Sequence, residues 1–406
     1  MDTRLISLAG GAFAIGTGSL IITGILPHLA GGLNVSVDTA GLLISIFALS
    51  YAIGSPILST LLGDADRKLV LIGAMTVFGL ANLGAAFASD FWVVMVARVV
   101  MALASGVFMP AANAVAVAVS PPERRGRAIA LVTGGMTVSL VLGVPIGTAV
   151  VSFGGWHLAF LIVTLFSALS LTGLLIKLPK GLPRGTNTLR ERLQVAGRGD
   201  VLLALATTML WTTGAFVLYT YIAPFLTNHA GIAGHWLAAM LVVSGLGSAI
   251  GNQLGGVASD RFGPERTLTV VLSVLALALL AASLIAIGLP PALAIYPMPF
   301  VLLVWSGAGW AGHPSQMSRL AAMAPDATVV ALSLNASALY FGIAAGAGLG
   351  QQVMRHAGTW PLGFVGAVCE IAALAVLWLA IRRRKAKVGS SALPQAGEQA
   401  VAAVRA

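Results

Sequence analysis

Four charged side chains, Asp260, Arg261, Glu265 and Arg266, fall within seven residues of the stretch GGVASDRFGPER, in a chain that is only 9% charged. Opposite charges this close can pair across a chain break, and a carboxylate there can accept hydrogen bonds from helix N-terminal amides. Three further ionisable groups stand inside apolar runs: Arg98, His313 and Glu370. A charge within such a run is expensive and marks function unless it snorkels to an interface. Arg98 stands about seven residues into its run, which leaves both readings open. An unperturbed imidazole titrates near pH 6.5, so His313 is either a proton carrier or a hydrogen-bonded packing residue. Thr17, Asn113, Gln316 and Asn335, with Trp211, Tyr219, Trp305, Trp310 and Tyr340, are candidates to line a mostly apolar cavity for amphipathic or weakly polar solutes; packing and interfacial anchoring compete for each. The six His, one Cys and one embedded Glu lie on different segments and make no catalytic or metal-ligating cluster, so no enzyme activity, cofactor or metal is expected. Cys369 reads as a packing residue.

These side chains need a scaffold, and composition supplies it. The 406 residues are 58% hydrophobic with a mean hydropathy of +0.95. A soluble domain carries about 25% charged residues, and a membrane helix needs about 20 mostly apolar ones. Twelve such segments can be read, near 5–27, 39–62, 69–88, 91–119, 128–150, 157–177, 201–223, 236–258, 267–289, 297–323, 328–350 and 361–381. No alternating segments of barrel type occur. The tenth is the least clean, holding Pro297, Pro299, His313, Pro314 and Arg319. The first is read as a span rather than a cleaved signal. With the N-terminus in the cytoplasm, all but Arg98 and Arg355 of the 23 basic residues fall in breaks or tails on that side, so both ends are placed inside. The net charge of +10 therefore points to membrane orientation and not to nucleic acid. The polar stretch 178–200 reads as a cytoplasmic linker between bundles at 1–177 and 201–384, with a short surface helix at Leu189–Val195. Residues 385–406 read as a disordered tail.

The two bundles resemble each other. YAIGSPILSTLLGDADRKLVL ends the second segment and SAIGNQLGGVASDRFGPERTL the eighth. Aligning Ile53-Gly54 with Ile250-Gly251 sets an offset of 197 residues, as a six-plus-six duplication requires. Ungapped, this places Gly63 opposite Asp260 and Asp66 opposite Gly263; a one-residue gap lets Asp64 take the role of Asp260, ahead of Arg67.

The motif, its position and the span count together resemble the major facilitator superfamily, and more narrowly its twelve-span drug:proton antiporter branch, which includes sugar and nucleoside exporters. The resemblance covers the chain to about Arg384. It implies an all-α fold of two pseudo-symmetric six-helix bundles and a substrate site between them near mid-membrane. It implies a monomer in the bacterial inner membrane, with protons and a small molecule as partners and alternating access as the mechanism. Asp260, Arg261, Gly263 and Arg266, with Asp64 and Arg67, would form a cytoplasmic gate, held shut in one state and broken in the other. Arg98 would belong to a motif linked to proton coupling, although Ala102 stands where the family prefers Gly. Gly134, Gly143, Pro145 and Gly147 resemble the antiporter motif, varied by Val144, and would form a flexible seam between halves; Gly342, Gly346 and Gly350 mirror it. The first span, with Thr17, Gly18 and Ser19, lacks the carboxylate common in drug:proton antiporters. Efflux of apolar drugs is the leading expectation, and efflux of a sugar, nucleoside or other metabolite is the alternative.

Overall fold

The computed structural model describes residues 2–63, 65–121, 124–179, 181, 197–232 and 235–405, with 235, 326, 329 and 385–405 as backbone alone. Asp64 and most of the 178–200 linker, including the expected helix at Leu189–Val195, lie outside the described residues. The described residues are helical, joined by short turns. Ten stretches are long and apolar enough to cross a membrane. One of them, Arg125–Lys177, is 53 residues long. At 1.5 Å per residue it exceeds twice the roughly 30 Å hydrocarbon core, so it crosses twice. It turns at Gly154 and Gly155, where Gly155 takes φ 68°, a left-handed conformation that a glycine adopts without strain. The helix Met298–Met323 adds the twelfth crossing; His313, Pro314, Gln316 and Arg319 make it the polar one.

In chain order the spans are one (Thr3–Gly32), two (Val37–Leu61), three (Arg67–Ala86), four (Phe91–Ala118), five (125–153), six (156–177), seven (Gly199–Tyr219), eight (His235–Phe262), nine (Pro264–Gly288), ten (Met298–Met323), eleven (Thr328–Ala357) and twelve (Leu362–Arg405). A short helix, Ile222–Ala230, caps the far end of span seven. An even number of crossings puts both chain ends on one face, called here the terminal face. The membrane-crossing part of span twelve is Leu362–Arg384, and its helix runs on to Arg405 over the stretch expected to be a disordered tail.

Short polar side chains start the spans. Asp2, Ser36, Asp66 and Asp90 each accept a hydrogen bond from a backbone N–H of the first turn, satisfying donors that the helix leaves unpaired. Spans three and nine begin at Arg67 and Pro264, keeping the 197-residue offset, and their caps, Asp66 and Gly263, are the residues the ungapped alignment pairs. Gly263 takes φ 84° and delivers the chain to Pro264, whose ring fits a first helical turn. Large apolar side chains such as Leu61, Leu69, Phe87, Trp92, Phe153, Val270 and Val368 are exposed on the outside, as lipid contact requires.

Lipid is as apolar as leucine, so the spans are held by close packing of small residues. A Cβ on Gly16, Gly143 or Gly147 would collide with Ser139, Thr17 or Ile21, and one on Gly24 with Thr148. Spans one and five thus interlock, glycine on each receiving a side chain of the other. Gly143 and Gly147 thus lie against span one, inside the first half, and Gly134 faces open space, while the contact of span five with the other half is made by its backbone at Leu140 and Val141, on which Gly245 of span eight packs. In the same way Gly342, Gly346 and Gly350 pack on Thr212, Phe216 and Tyr221 of the second half.

Candidate functional site

Between the halves lies a cavity with about 950 Å³ of atom-free space, part of it open to the surroundings. Spans one, two and five supply Ser19, Leu20, Ile44, Phe47, Met136 and Leu140. Spans seven, eight, ten and eleven supply the rest, chiefly Trp211, Phe216, Tyr219, Ser244, Ser248, Trp305, Trp310, His313 and Tyr340. Aromatic faces dominate this wall. Tyr219 leans on Trp305 with centroids 5.8 Å apart, and His313 lies 6.0 Å from Trp310 and 6.5 Å from Trp211. Tyr340 stacks on Tyr51 of the first half at 3.7 Å, closing one side.

Beyond the cavity, towards the face opposite the termini, the halves touch. In span one the lining residues Ser19 and Leu20 are followed by Gly24, which packs on Leu241. In span two, Gly41 packs on Tyr221, one turn before the lining residue Ile44. Tyr221 donates its hydroxyl to Ala347 O at 3.1 Å. In each of spans one, two, seven and eight the contact stands beyond the lining residues, so the cavity is floored on that side. Among the described residues, hydrogen bonds and ion pairs at the terminal face instead join elements of one half. Lys68 donates to Leu175 O and Leu178 O, Arg198 binds Asp200 and Met323 O, and Arg384 pairs with Glu265 at 3.2 Å.

The expected gate lies at this terminal face. Asp260, Arg261 and Arg266 are exposed, and Arg261 lies over the Phe262 ring at 5.4 Å. Among the described residues neither Asp260 nor Arg261 makes an ion pair; the paired acid of the motif is Glu265. In the first half it is Asp66 that is engaged, accepting from Lys68 N at 2.7 Å and Gly181 N at 3.4 Å.

Arg98 does not snorkel. It is fully buried, donating to Leu43 O at 3.1 Å, Gly18 O at 2.7 Å and Ser19 O at 3.1 Å, with its guanidinium carbon 4.1 Å from the centre of the Phe47 ring. One side chain thus ties span four to spans one and two directly behind the cavity wall. In span five, Pro145 has no N–H to donate. The helix widens before it into a π-turn, Ser139–Gly143, closed by Val144 N donating to Ser139 O.

Of the other predicted cavity residues, Trp211, Tyr219 and His313 line the wall. Gln316 and Asn335 do not. Gln316 donates to Ala204 O at 2.6 Å and Thr208 Oγ1 at 2.9 Å, and Thr208 donates to Asn335 Oδ1 at 2.7 Å, so their amides are spent on helix packing. Thr17 is buried against Gly143 and donates to Phe13 O, and Asn113 is not part of the wall. Sequence reading missed Phe47, Phe216, Ser19, Ser244 and Ser248. The four-residue spacing of the two serines was visible, but an apolar face gives no sign of whether it meets lipid or a cavity.

The sequence matches the Major Facilitator Superfamily over residues 8–328. The chain belongs to that family of membrane transporters, and is a multi-pass membrane protein. It is 33% identical over 385 residues to the inner membrane transport protein YdhP of Escherichia coli strain K12, covering 94% of this chain and 96% of the relative. It is 31% identical over 385 residues to a chloramphenicol resistance protein of Streptomyces lividans, covering 93% and 95%. Among solved structures, a bacterial homologue of the human lysosomal transporter Spinster, in an inward-facing and occupied conformation, matches with TM-score 0.74 at 20% identity, covering 93% and 96%. A D-xylose-proton symporter matches with TM-score 0.73 at 15% identity, covering 93% and 97%. At such identities the structures speak for the fold alone.

Proposed function

We propose that the protein exports drug-like or amphipathic small molecules across the bacterial inner membrane in exchange for protons, its two halves rocking about the cavity with both termini in the cytoplasm. The observation that carries this reading is the wall itself: aromatic faces and a few hydroxyls at mid-membrane, shared by both halves and floored on one side. Such a wall suits weakly polar aromatic solutes. The resistance protein of Streptomyces lividans, which aligns along nearly the full chain, supports the efflux reading. A sugar or nucleoside site would present several free amides, and here Gln316 and Asn335 are engaged with Thr208. Asp260 and Arg261 of the gate motif are exposed and, among the described residues, make no ion pair, as a state open to the terminal face would have them. His313 is the lining imidazole able to take up and release a proton. Cells overproducing the protein, given a panel of drugs, sugars and nucleosides, are expected to export aromatic drugs only while a proton gradient stands. His313→Gln is expected to retain binding and lose that gradient dependence. Transport of every panel solute without gradient dependence would end the antiport reading.

A further inference from the structure

Among the described residues the cavity wall carries no carboxylate. A permanent charge lies just behind it: Arg98 contacts two residues that are themselves part of the wall, bonding Ser19 O at 3.1 Å and lying 4.1 Å from the centre of the Phe47 ring. A guanidinium stays protonated in proteins. Its bonds go to three neutral carbonyls, which orient dipoles towards it but do not cancel its charge. Within a low-dielectric wall, a unit charge acts over a greater range than in water. His313, the lining group able to gain charge, can gain only a positive one. The Phe47 ring also turns one face to Arg98, so its quadrupole is already engaged by a cation.

We infer that this cavity selects uncharged or anionic aromatic compounds and disfavours aromatic cations, because Arg98 sets a positive potential behind Phe47 with no acid on the wall to offset it. This rests on the cavity being the substrate site. Aromatic walls alone would attract cations; the charge behind them reverses the preference.

The test uses purified full-length protein and three radiolabelled probes sharing one ring system: naphthalene-2-carboxamide, naphthalene-2-carboxylate and 2-naphthylmethylammonium. The amide and the carboxylate are expected to bind at least tenfold more tightly than the ammonium. Ser248→Asp, which puts an acid on the wall without touching Arg98, is expected to raise ammonium affinity at least tenfold and lower that of the carboxylate. Arg98→Gln, if it folds, is expected to narrow the gap. Equal or tighter binding of the ammonium to the unaltered protein, or no effect of Ser248→Asp on the order, overturns the charge preference while leaving the cavity as the site. Binding of the probes that Phe47→Ala and Trp305→Ala both leave unchanged, or no binding of any probe, overturns the cavity as the site, and the inference falls with it.

Discussion

Arg98 shows how much one side chain can hold together in a membrane. A buried charge needs its hydrogen bonds satisfied, and three backbone carbonyls from spans one and two meet that need. Arg98→Ala is expected to cost at least about 3 kcal/mol, since hydrogen bonds to charged groups are each worth about 1.5–3 kcal/mol. Arg98→Lys, unable to fork to three carbonyls, is expected to recover only part of it; thermal unfolding in detergent would show both. At the opposite face, His229 Nε2 lies 2.7 Å from Thr359 Oγ1, joining the short helix after span seven to the turn before span twelve. Burial lowers the His229 pKa from its ordinary value. A depressed folded value means the neutral ring is favoured by folding. Its contribution is present above the unfolded value near 6.5 and is lost as pH falls through the folded value. The melting temperature is expected to drop between pH 7.5 and 5 by more in the unaltered protein than in His229→Gln. The sequence showed that Arg98 was embedded but not where its donors point, because that depends on two other helices.

At the scale of elements, spans one and five are matched surfaces. Gly143 receives Thr17 and Gly16 receives Ser139, at the two ends of the π-turn that precedes Pro145. Gly143→Val is expected to destabilise by about 1–3 kcal/mol through overpacking, and Thr17→Ala combined with it is expected to restore part of the loss. A double-mutant cycle on thermal unfolding reads the coupling, and independent effects would contradict the contact. The glycines and Pro145 were conspicuous in the sequence. Their partner was not, since spacing along one helix says which face is small and leaves open which helix meets it: Gly143 and Gly147 met span one of their own half, while the neighbouring Leu140 and Val141 met Gly245 of span eight. Span boundaries were legible because bilayer thickness imposes them. The turn at Gly154–Gly155 and the polar tenth span were legible for the same reason, each lying between apolar runs of spanning length.

At the scale of the whole molecule, a sequence offset became a structural one: Asp66 and Gly263 cap corresponding spans, so the duplication fixed where each half begins its third helix. The cavity was only partly legible. Its aromatics could be named from the sequence, yet Gln316 and Asn335 turned out to be spent on Thr208, and Phe47 was indistinguishable from a lipid-facing ring. The proposed export requires the halves to move as two bodies about this cavity. Pulsed electron-spin distances, in a Cys369→Ser background, would follow one label pair at the terminal face, on Arg125 and Arg261, and another at the opposite face, on Phe153 and Tyr296. Substrate and a pH step are expected to change the two distances in opposite senses, one closing as the other opens. Distances that stay fixed, or that lengthen and shorten together, would contradict it.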